Sequence, residues 1–273
     1  MKKLSIITIC YNEPNLEKTC ESIINQTWQD FEWIVIDGGS NKETQKIWDK
    51  YKYRIDKFIS EPDNGIYNAY NKGIKLATCD WIIFMNAGDS FYNYDVLIDV
   101  FNNFDISNSE VVYGDSLFSK KDEIKTSIIK YPESISNNFF INSNINTQST
   151  FIKKDLFLKY GNFNEYYKIT ADFERWIVFA KNNVNFKHIP IIIANYNCDG
   201  YSSNSKYAIQ HHNEREEIIN NYFTNEEIEQ AKNSVKVRYS FLEQIFSIKN
   251  NPTKTCKIIT FLGIHIKIKR RNK

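Results

Sequence analysis

Leu4-Ser5-Ile6-Ile7-Thr8-Ile9-Cys10-Tyr11-Asn12-Glu13 is the stretch whose reading decides the fold. A short apolar, β-branched run stops abruptly at an aromatic ring and two polar side chains. A strand buried on both faces reads as such a run rather than as an alternation, which is the habit of parallel sheets. Three more runs of this kind follow, Phe31–Ile36, Asp56–Ile59 and Trp81–Met85, each ending in polar turn residues. Between them Leu16–Ile24, Lys42–Tyr53 and Ile66–Leu76 carry helical spacing, as does Asp95–Phe104 after the last strand. Strands alternating with helices predict an α/β fold with a parallel sheet. In such sheets ligands bind at the carboxyl ends of the strands, so the residues just past each strand are the candidates for chemistry.

Further along, the signal loosens. Val111–Tyr113, Ile124–Ile129 and Thr147–Ile152 read as short strands among Asn- and Ser-rich loops. Lys154–Lys159 and Ala171–Lys181 read as helices, and Asn185–Ile189 with Ile191–Tyr196 as closing strands. The Glu-, Lys- and Asn-rich stretch from Lys206 to Ile248 has helical spacing and is predicted as two helices flanking Thr224-Asn225. One large domain over 1–203 and a helical extension with a basic tail over 204–273 are therefore expected. No internal repeat is seen.

The bulk numbers narrow the classes. With 273 residues, 42% hydrophobic and 25% charged, the chain has material for one large core and an appendage. Residues 249–273 hold eight of the 35 basic residues and none of the 33 acidic ones, which leaves the remainder at net −6. An acidic body argues against nucleic acid as a partner, since backbone binding needs a basic face. Five scattered cysteines without Cys-x-x-Cys spacing indicate neither a disulfide framework nor a zinc knuckle, and suit a reducing cytoplasm. No segment approaches the ~20 apolar residues of a spanning helix.

Each strand end has a functional and a plain reading. At the first, Thr8, Tyr11, Asn12 and Glu13 can meet a flat nucleobase, or simply form a strand–turn–helix with Asn15 as cap. At the second, Asp37 before Gly38-Gly39-Ser40 can accept from a base N–H or ribose hydroxyl, or be turn chemistry. At the third, Asp63-Asn64-Gly65 opens a helix carrying Lys72, a start suited to phosphates or sugar hydroxyls; otherwise it is a turn with a solvated lysine. At the fourth, Asn86-Ala87-Gly88-Asp89 offers Asp89 to a divalent cation or as a cap. Far downstream Asp172 opens a helix, either as a general base or as ordinary acidic support of a helix start.

Taken together, Ser5–Asn12, Ile36–Ser40, Ser60–Tyr67 and Asn86–Asp89 resemble family 2 glycosyltransferases of the GT-A fold, over residues 4 to 203. The resemblance implies a Rossmann-like nucleotide-diphospho-sugar transferase with a mixed sheet and flanking helices. It implies that Tyr11 and Asp37 contact the base, and that Asp63, Gly65 and Lys72 line the diphosphate–sugar region. Asp89 then ligates Mn²⁺ or Mg²⁺, and Asp172 is the base of an inverting transfer from a nucleotide-diphosphate-sugar, UDP-linked, to a glycan or lipid-linked acceptor. Thr8, Asn12, Glu13 and Asn86 join the donor side; Gln148, Glu174, Arg175 and Trp176 the acceptor side; Gly200–Ser203 resembles the closing loop. The pattern departs from the family at Asn86, where many members carry the first acid of an Asp-x-Asp.

Polysaccharide biosynthesis and a cytoplasmic place are what the family implies. The tail from 257 to 273 mixes apolar and basic residues; it is open between a solvated tail or short strand and a peripheral contact with an anionic inner membrane face. A nucleotidyltransferase lacks its glycine-rich N-terminal loop here, and no G-x-G-x-x-G follows the first strand to mark a dinucleotide oxidoreductase. A non-catalytic nucleotide- or sugar-binding relative is the alternative from another class.

Overall fold

A computed structural model of the chain describes residues 2–119, 126–198, 200 and 205–234, together with the backbone of three strands between 246 and 269. The four apolar runs form β1 (Leu4–Cys10), β2 (Phe31–Asp37), β3 (Lys57–Ser60) and β4 (Trp81–Phe84). They are mutually parallel in the order β3-β2-β1-β4, so their carboxyl ends share one edge. Helices α1 (Leu16–Ile24), α2 (Lys42–Tyr51) and α3 (Ile66–Leu76) connect them. α2 starts where the Asn41 side chain accepts the Thr44 N–H at 3.0 Å, an ordinary cap. α3 starts at Gly65, whose φ of 111° only glycine adopts without strain. Under α2, the buried rings of Trp33 and Trp48 meet edge to face at 6.2 Å.

Past β4 the sheet turns mixed. β5 (Ser90–Phe91), β6 (Val111–Ser119), β7 (Ser127–Ile129), β8 (Thr150–Lys153) and β9 (Phe186–Asn197) complete nine strands in the order β3-β2-β1-β4-β8-β6-β9-β5, with β7 beside β6. The two closing strands expected on either side of Pro190 are one. The register slips between Gly114 and Asp115, so Pro190 and Ile191 stand outside the ladder and the missing proline N–H costs no bond. The expected helix at 95–104 is shorter: α4 (Val96–Ile98) runs into a π-helical turn over Asp99–Asn103. Residues 147–149 form a 3₁₀ turn ahead of β8, and α5 (Phe139–Asn142) was unforeseen. α6 (Asp155–Tyr160), α7 (Ala171–Lys181) and α8 (Ala208–Tyr222) complete this unit, which spans Met1–Asn221.

The second unit spans Tyr222–Lys273. A helix over 225–234 opens with a capping box: Thr224 N–H donates to Glu227 Oε2 at 2.8 Å, and Glu227 N–H to Thr224 Oγ1 at 3.2 Å. The expected helical extension gives way beyond it to strands, and for the tail the short-strand reading is the one found. β10 (Phe246–Asn250), β11 (Cys256–Phe261) and β12 (Ile264–Lys269) form an antiparallel sheet. Isoleucine at 264, 266 and 268 alternates with His265, Lys267 and Lys269 in a period-two pattern. The expected loop at Tyr201–Ser203 and the residues after 269 lie outside the described residues.

One buried charge in β2 has a measurable consequence. Burial raises the Glu32 carboxyl, but the Ser5 hydroxyl at 2.6 Å, Thr78 N–H at 2.5 Å and Lys57 ammonium at 3.0 Å outweigh it and hold it at about 2. A carboxyl depressed below its usual 4.5 adds stability above that pH, and the gain is lost as pH falls toward 2. Glu32→Gln is expected to lower stability at pH 7 by about 2–3 kcal/mol and to flatten the fall of stability between pH 4.5 and 2. Urea midpoints measured in pH steps check this; an unchanged acid slope would contradict it.

Candidate active site

The ends of β1 and β4 and the start of α3 enclose a cavity of about 450 Å³. Tyr11, Glu13, Asp63, Asn64, Gly65, Asn86 and Asp89 line it, together with Gln148, Lys168, Tyr196, Asn197 and Gly200. The Tyr11 ring is 68% exposed at its mouth. Asn12, at φ 53°, clasps the first two loops: its N–H donates to Ser40 Oγ at 2.8 Å and its Oδ1 accepts the Asn41 N–H at 2.7 Å. Thr8 is fully buried and accepts the Trp33 indole N–H at 3.0 Å. It does not line the cavity, to which β1 contributes Ile9 and Cys10.

Asp37 ends β2 fully buried. Its Oδ2 accepts the Ser40 N–H at 3.0 Å, the Gln45 amide at 2.8 Å and the Ser60 hydroxyl at 2.6 Å. Its Oδ1 is buried and has no hydrogen-bond partner among the described residues. A buried carboxylate oxygen left without a donor costs about 1–3 kcal/mol or more, which a ligand N–H would recover. Asp63 closes over the glycine after Asp37: a Cβ on Gly38 would stand 2.8 Å from Asp63 Oδ2. Asp63 Oδ1 accepts the Gly65 N–H at 2.9 Å, and no side chain caps the first turn of α3. Lys72 is turned away from the cavity, paired with Glu61 at 2.7 Å and 3.5 Å from the Pro62 carbonyl.

At the fourth strand end Asn86 exchanges hydrogen bonds with the Tyr70 hydroxyl at 2.8 and 3.0 Å. Asp89 is 5% exposed and accepts the Asn197 N–H at 2.8 Å. Burial pushes its carboxyl up to about 8; the Asn197 N–H opposes this and the Glu13 charge adds to it. An acid so placed gains its charge when a cation arrives beside it. Among the described residues no group of three His, Cys, Asp or Glu could hold a metal ion. The side chains fit a cation held by one carboxylate and completed by a ligand's phosphate oxygens, which is how Mg²⁺ is commonly bound.

The other acid, Asp172, is not among the residues that line the cavity. Asp172 sits in the first turn of α7, its Oδ1 accepting the Tyr67 hydroxyl at 2.9 Å and the Phe173 N–H at 2.8 Å, its Oδ2 the Thr147 hydroxyl at 2.8 Å. Burial, then the Asp172 charge, raises the Tyr67 hydroxyl well above its usual range, so it stays a donor. Of the residues expected on the acceptor side, only Gln148 lines the cavity. Glu174, Arg175 and Trp176 are buried in the packing of α7: Arg175 donates to the Gly161 carbonyl at 3.0 Å, Glu174 stands 3.7 Å from Arg175, and Trp176 packs on Phe179. At 3.6 residues per turn, positions two to four beyond Asp172 cannot all share its direction. Sequence reading gave no role to Tyr67 or Lys168, placed Thr147 only within the stretch 146–149 that the resemblance sets beside the acceptor, and passed over Glu214 of α8, whose place in a Glu-rich helix looks like a solvated face.

Residues 5–160 match the model of Glycosyl transferase family 2. The chain is 29% identical over 208 residues to a PGL/p-HBAD biosynthesis glycosyltransferase of Mycobacterium tuberculosis, covering 74% of this chain and 79% of that one. It is 28% identical over 199 residues to an uncharacterized glycosyltransferase of Rickettsia typhi, 69% and 62% of the two chains. Its fold is similar to that of S. aureus TarS residues 1–349 in complex with UDP-GlcNAc, with a TM-score of 0.65 over 84% of this chain and 70% of that one at 18% identity. It spans 60% of a longer TarS structure. The mannosyltransferase PcManGT of Pyrobaculum calidifontis, in complex with GDP-Man and Mn²⁺, gives a TM-score of 0.56 over 71% and 56% of the two chains at 15% identity. At these identities the structural likeness speaks for the GT-A fold alone. The family match covers more than half of the chain, the relatives are named glycosyltransferases, and the chain is accordingly a glycosyltransferase that belongs to glycosyl transferase family 2.

Proposed function

We propose that the chain moves a sugar from a UDP-linked donor to a hydroxyl of a glycan or lipid-linked acceptor, inverting the anomeric carbon. The observation that carries this reading is the pair of differently treated aspartates. Asp37 holds one buried oxygen without a hydrogen-bond partner among the described residues, and Asp172 is fixed by Tyr67 and Thr147. In this reading the base stacks on Tyr11 and gives an N–H to Asp37. The diphosphate and sugar lie at the start of α3, whose N–H groups carry partial positive charge. Asp172 takes the proton of the acceptor hydroxyl as it attacks, a role open to a carboxylate held in one orientation. A divalent cation, Mn²⁺ or Mg²⁺, would be held by Asp89 and would neutralise charge on the departing diphosphate.

The chemistry of the relatives supports this choice: the TarS and PcManGT structures contain UDP-GlcNAc and GDP-Man with Mn²⁺ respectively. No described helix is long and apolar enough to cross a membrane. The basic tail at 257–273 is proposed to touch an anionic inner membrane face from the cytoplasm, where lipid-linked acceptors lie.

Calorimetric titration with UDP, GDP and dTDP, each with and without Mn²⁺, tests the donor side. One nucleotide, UDP, is expected to bind at least tenfold more tightly with Mn²⁺. Absence of binding by all three in both conditions would remove the donor site from the account.

A further inference from the structure

α8 reaches the start of α7 from outside the motifs. Glu214 on α8 is 9% exposed, and its carboxylate collects five donors. Three are consecutive backbone N–H groups: Lys168 at 3.0 Å, Ile169 at 2.9 Å and Thr170 at 3.1 Å. The Thr170 hydroxyl at 3.0 Å and the Gln210 amide at 2.8 Å complete the set. Thr170 is the N-cap residue of α7 and makes no side-chain cap bond of its own; the Glu214 carboxylate holds the Thr170 N–H and the two N–H groups that precede it. A negative group at that helix end is also favoured by the dipole.

We propose that Glu214 is a positioning residue for transfer, fixing the segment 168–170 so that Lys168 keeps its place in the cavity lining and Asp172 keeps its orientation; this rests on the reading of Asp172 as the base. The geometry ties the carboxylate to the acid in one short path. Residue 169 is held through its N–H by Glu214 and through its carbonyl by the Tyr67 hydroxyl at 2.7 Å, and the same hydroxyl, whose single proton the two acceptors share, reaches Asp172 Oδ1 at 2.9 Å. Lys168, whose N–H takes one of the five bonds, lines the cavity with its side chain. The next residue of α8 does similar work on the flank. Arg215 donates to the Phe140 and Ser143 carbonyls at 3.0 and 2.8 Å and stacks 3.9 Å over the ring of Phe173, the neighbour of Asp172. Displacements of about 1 Å at a reacting group cost on the order of 10²-fold in rate, so loosening this tie is expected to reach the chemistry.

The test compares full-length Glu214→Gln, which keeps one acceptor oxygen, with Glu214→Ala, which keeps none. The readout is nucleotide release, with water as acceptor, from whichever of UDP-glucose, UDP-galactose, UDP-GlcNAc and GDP-mannose the wild type turns over fastest. Expected are kcat losses of about tenfold for Gln and about 100-fold for Ala, with donor KM and nucleotide Kd within twofold of wild type. Wild-type kcat in both variants overturns the proposal. So does a parallel fall of kcat and of nucleotide-binding stoichiometry with no graded difference between Gln and Ala, the mark of a fold defect. Asp172→Asn is run alongside. If that variant turns over like wild type, the base reading fails and takes this inference with it; if it is inactive while the Glu214 variants are unaffected, only this inference fails.

Discussion

Asp172→Asn is expected to lower sugar transfer by about 10³-fold while leaving nucleotide affinity within twofold of wild type. An amide has the shape of the carboxylate and keeps one oxygen for Tyr67 or Thr147, so its surroundings stay assembled. What is lost is the capacity to take a proton. Loss of the charge from the first turn of α7 costs only about 0.3–1 kcal/mol of stability, so a thermal scan should move by a few degrees and the rate by orders of magnitude. Retention of more than a tenth of wild-type turnover would show that another group takes the proton.

Asp37→Asn is expected to act on the other term, weakening nucleotide binding by about 100-fold, or about 3 kcal/mol. Three donors converge on Oδ2, which fixes the carboxylate plane and leaves Oδ1 as a buried acceptor. An amide cannot serve both sides. Its NH₂ faces either the three protein donors or the N–H of the base, and each arrangement opposes donor to donor. Calorimetry gives the affinity, and turnover at saturating donor should stay near wild type, because in the proposed reading Asp37 meets the base rather than the transferred sugar. An unchanged affinity would place the base elsewhere.

How far the fold was legible follows from these particulars. The parallel half was readable because a strand covered on both faces is a near-continuous apolar run, and each such run here is followed by polar turn residues; α1 and α3 came out with the expected bounds. In the mixed half α7 also came out with the expected bounds, but β9 absorbs Pro190 through a slip in register that no local signal announces. On sequence alone the basic tail stays open between a solvated tail, a short strand and a membrane contact, because lysines on one side of a period-two pattern do not say what its other side meets.

At the site, Tyr11, Glu13, Asp63, Gly65, Asn86, Asp89 and Gln148 line the cavity where the strand ends placed them. Thr8 is taken up in the core by the Trp33 indole, and Lys72 by the salt bridge to Glu61. Glu174, Arg175 and Trp176 were carried along by their nearness in sequence to Asp172, though the helix turns them into packing. Tyr67, Thr147 and Glu214 act through contacts 25 to 105 residues distant in the chain, which no spacing rule reports.

The measurement that bears most directly on the central claim is proton NMR of the anomeric signals while purified wild-type chain, with Mn²⁺, is incubated with UDP-glucose, UDP-galactose, UDP-GlcNAc and GDP-mannose in turn. The expected result is loss of the α-anomeric signal of one UDP-sugar with appearance of the β product ahead of mutarotation, at a rate about 10³-fold above that of Asp172→Asn. An unchanged signal from every donor, under conditions in which the nucleotide binds, would contradict transfer at this cavity and make the chain a nucleotide-binding relative; an α product would keep the transfer and contradict inversion.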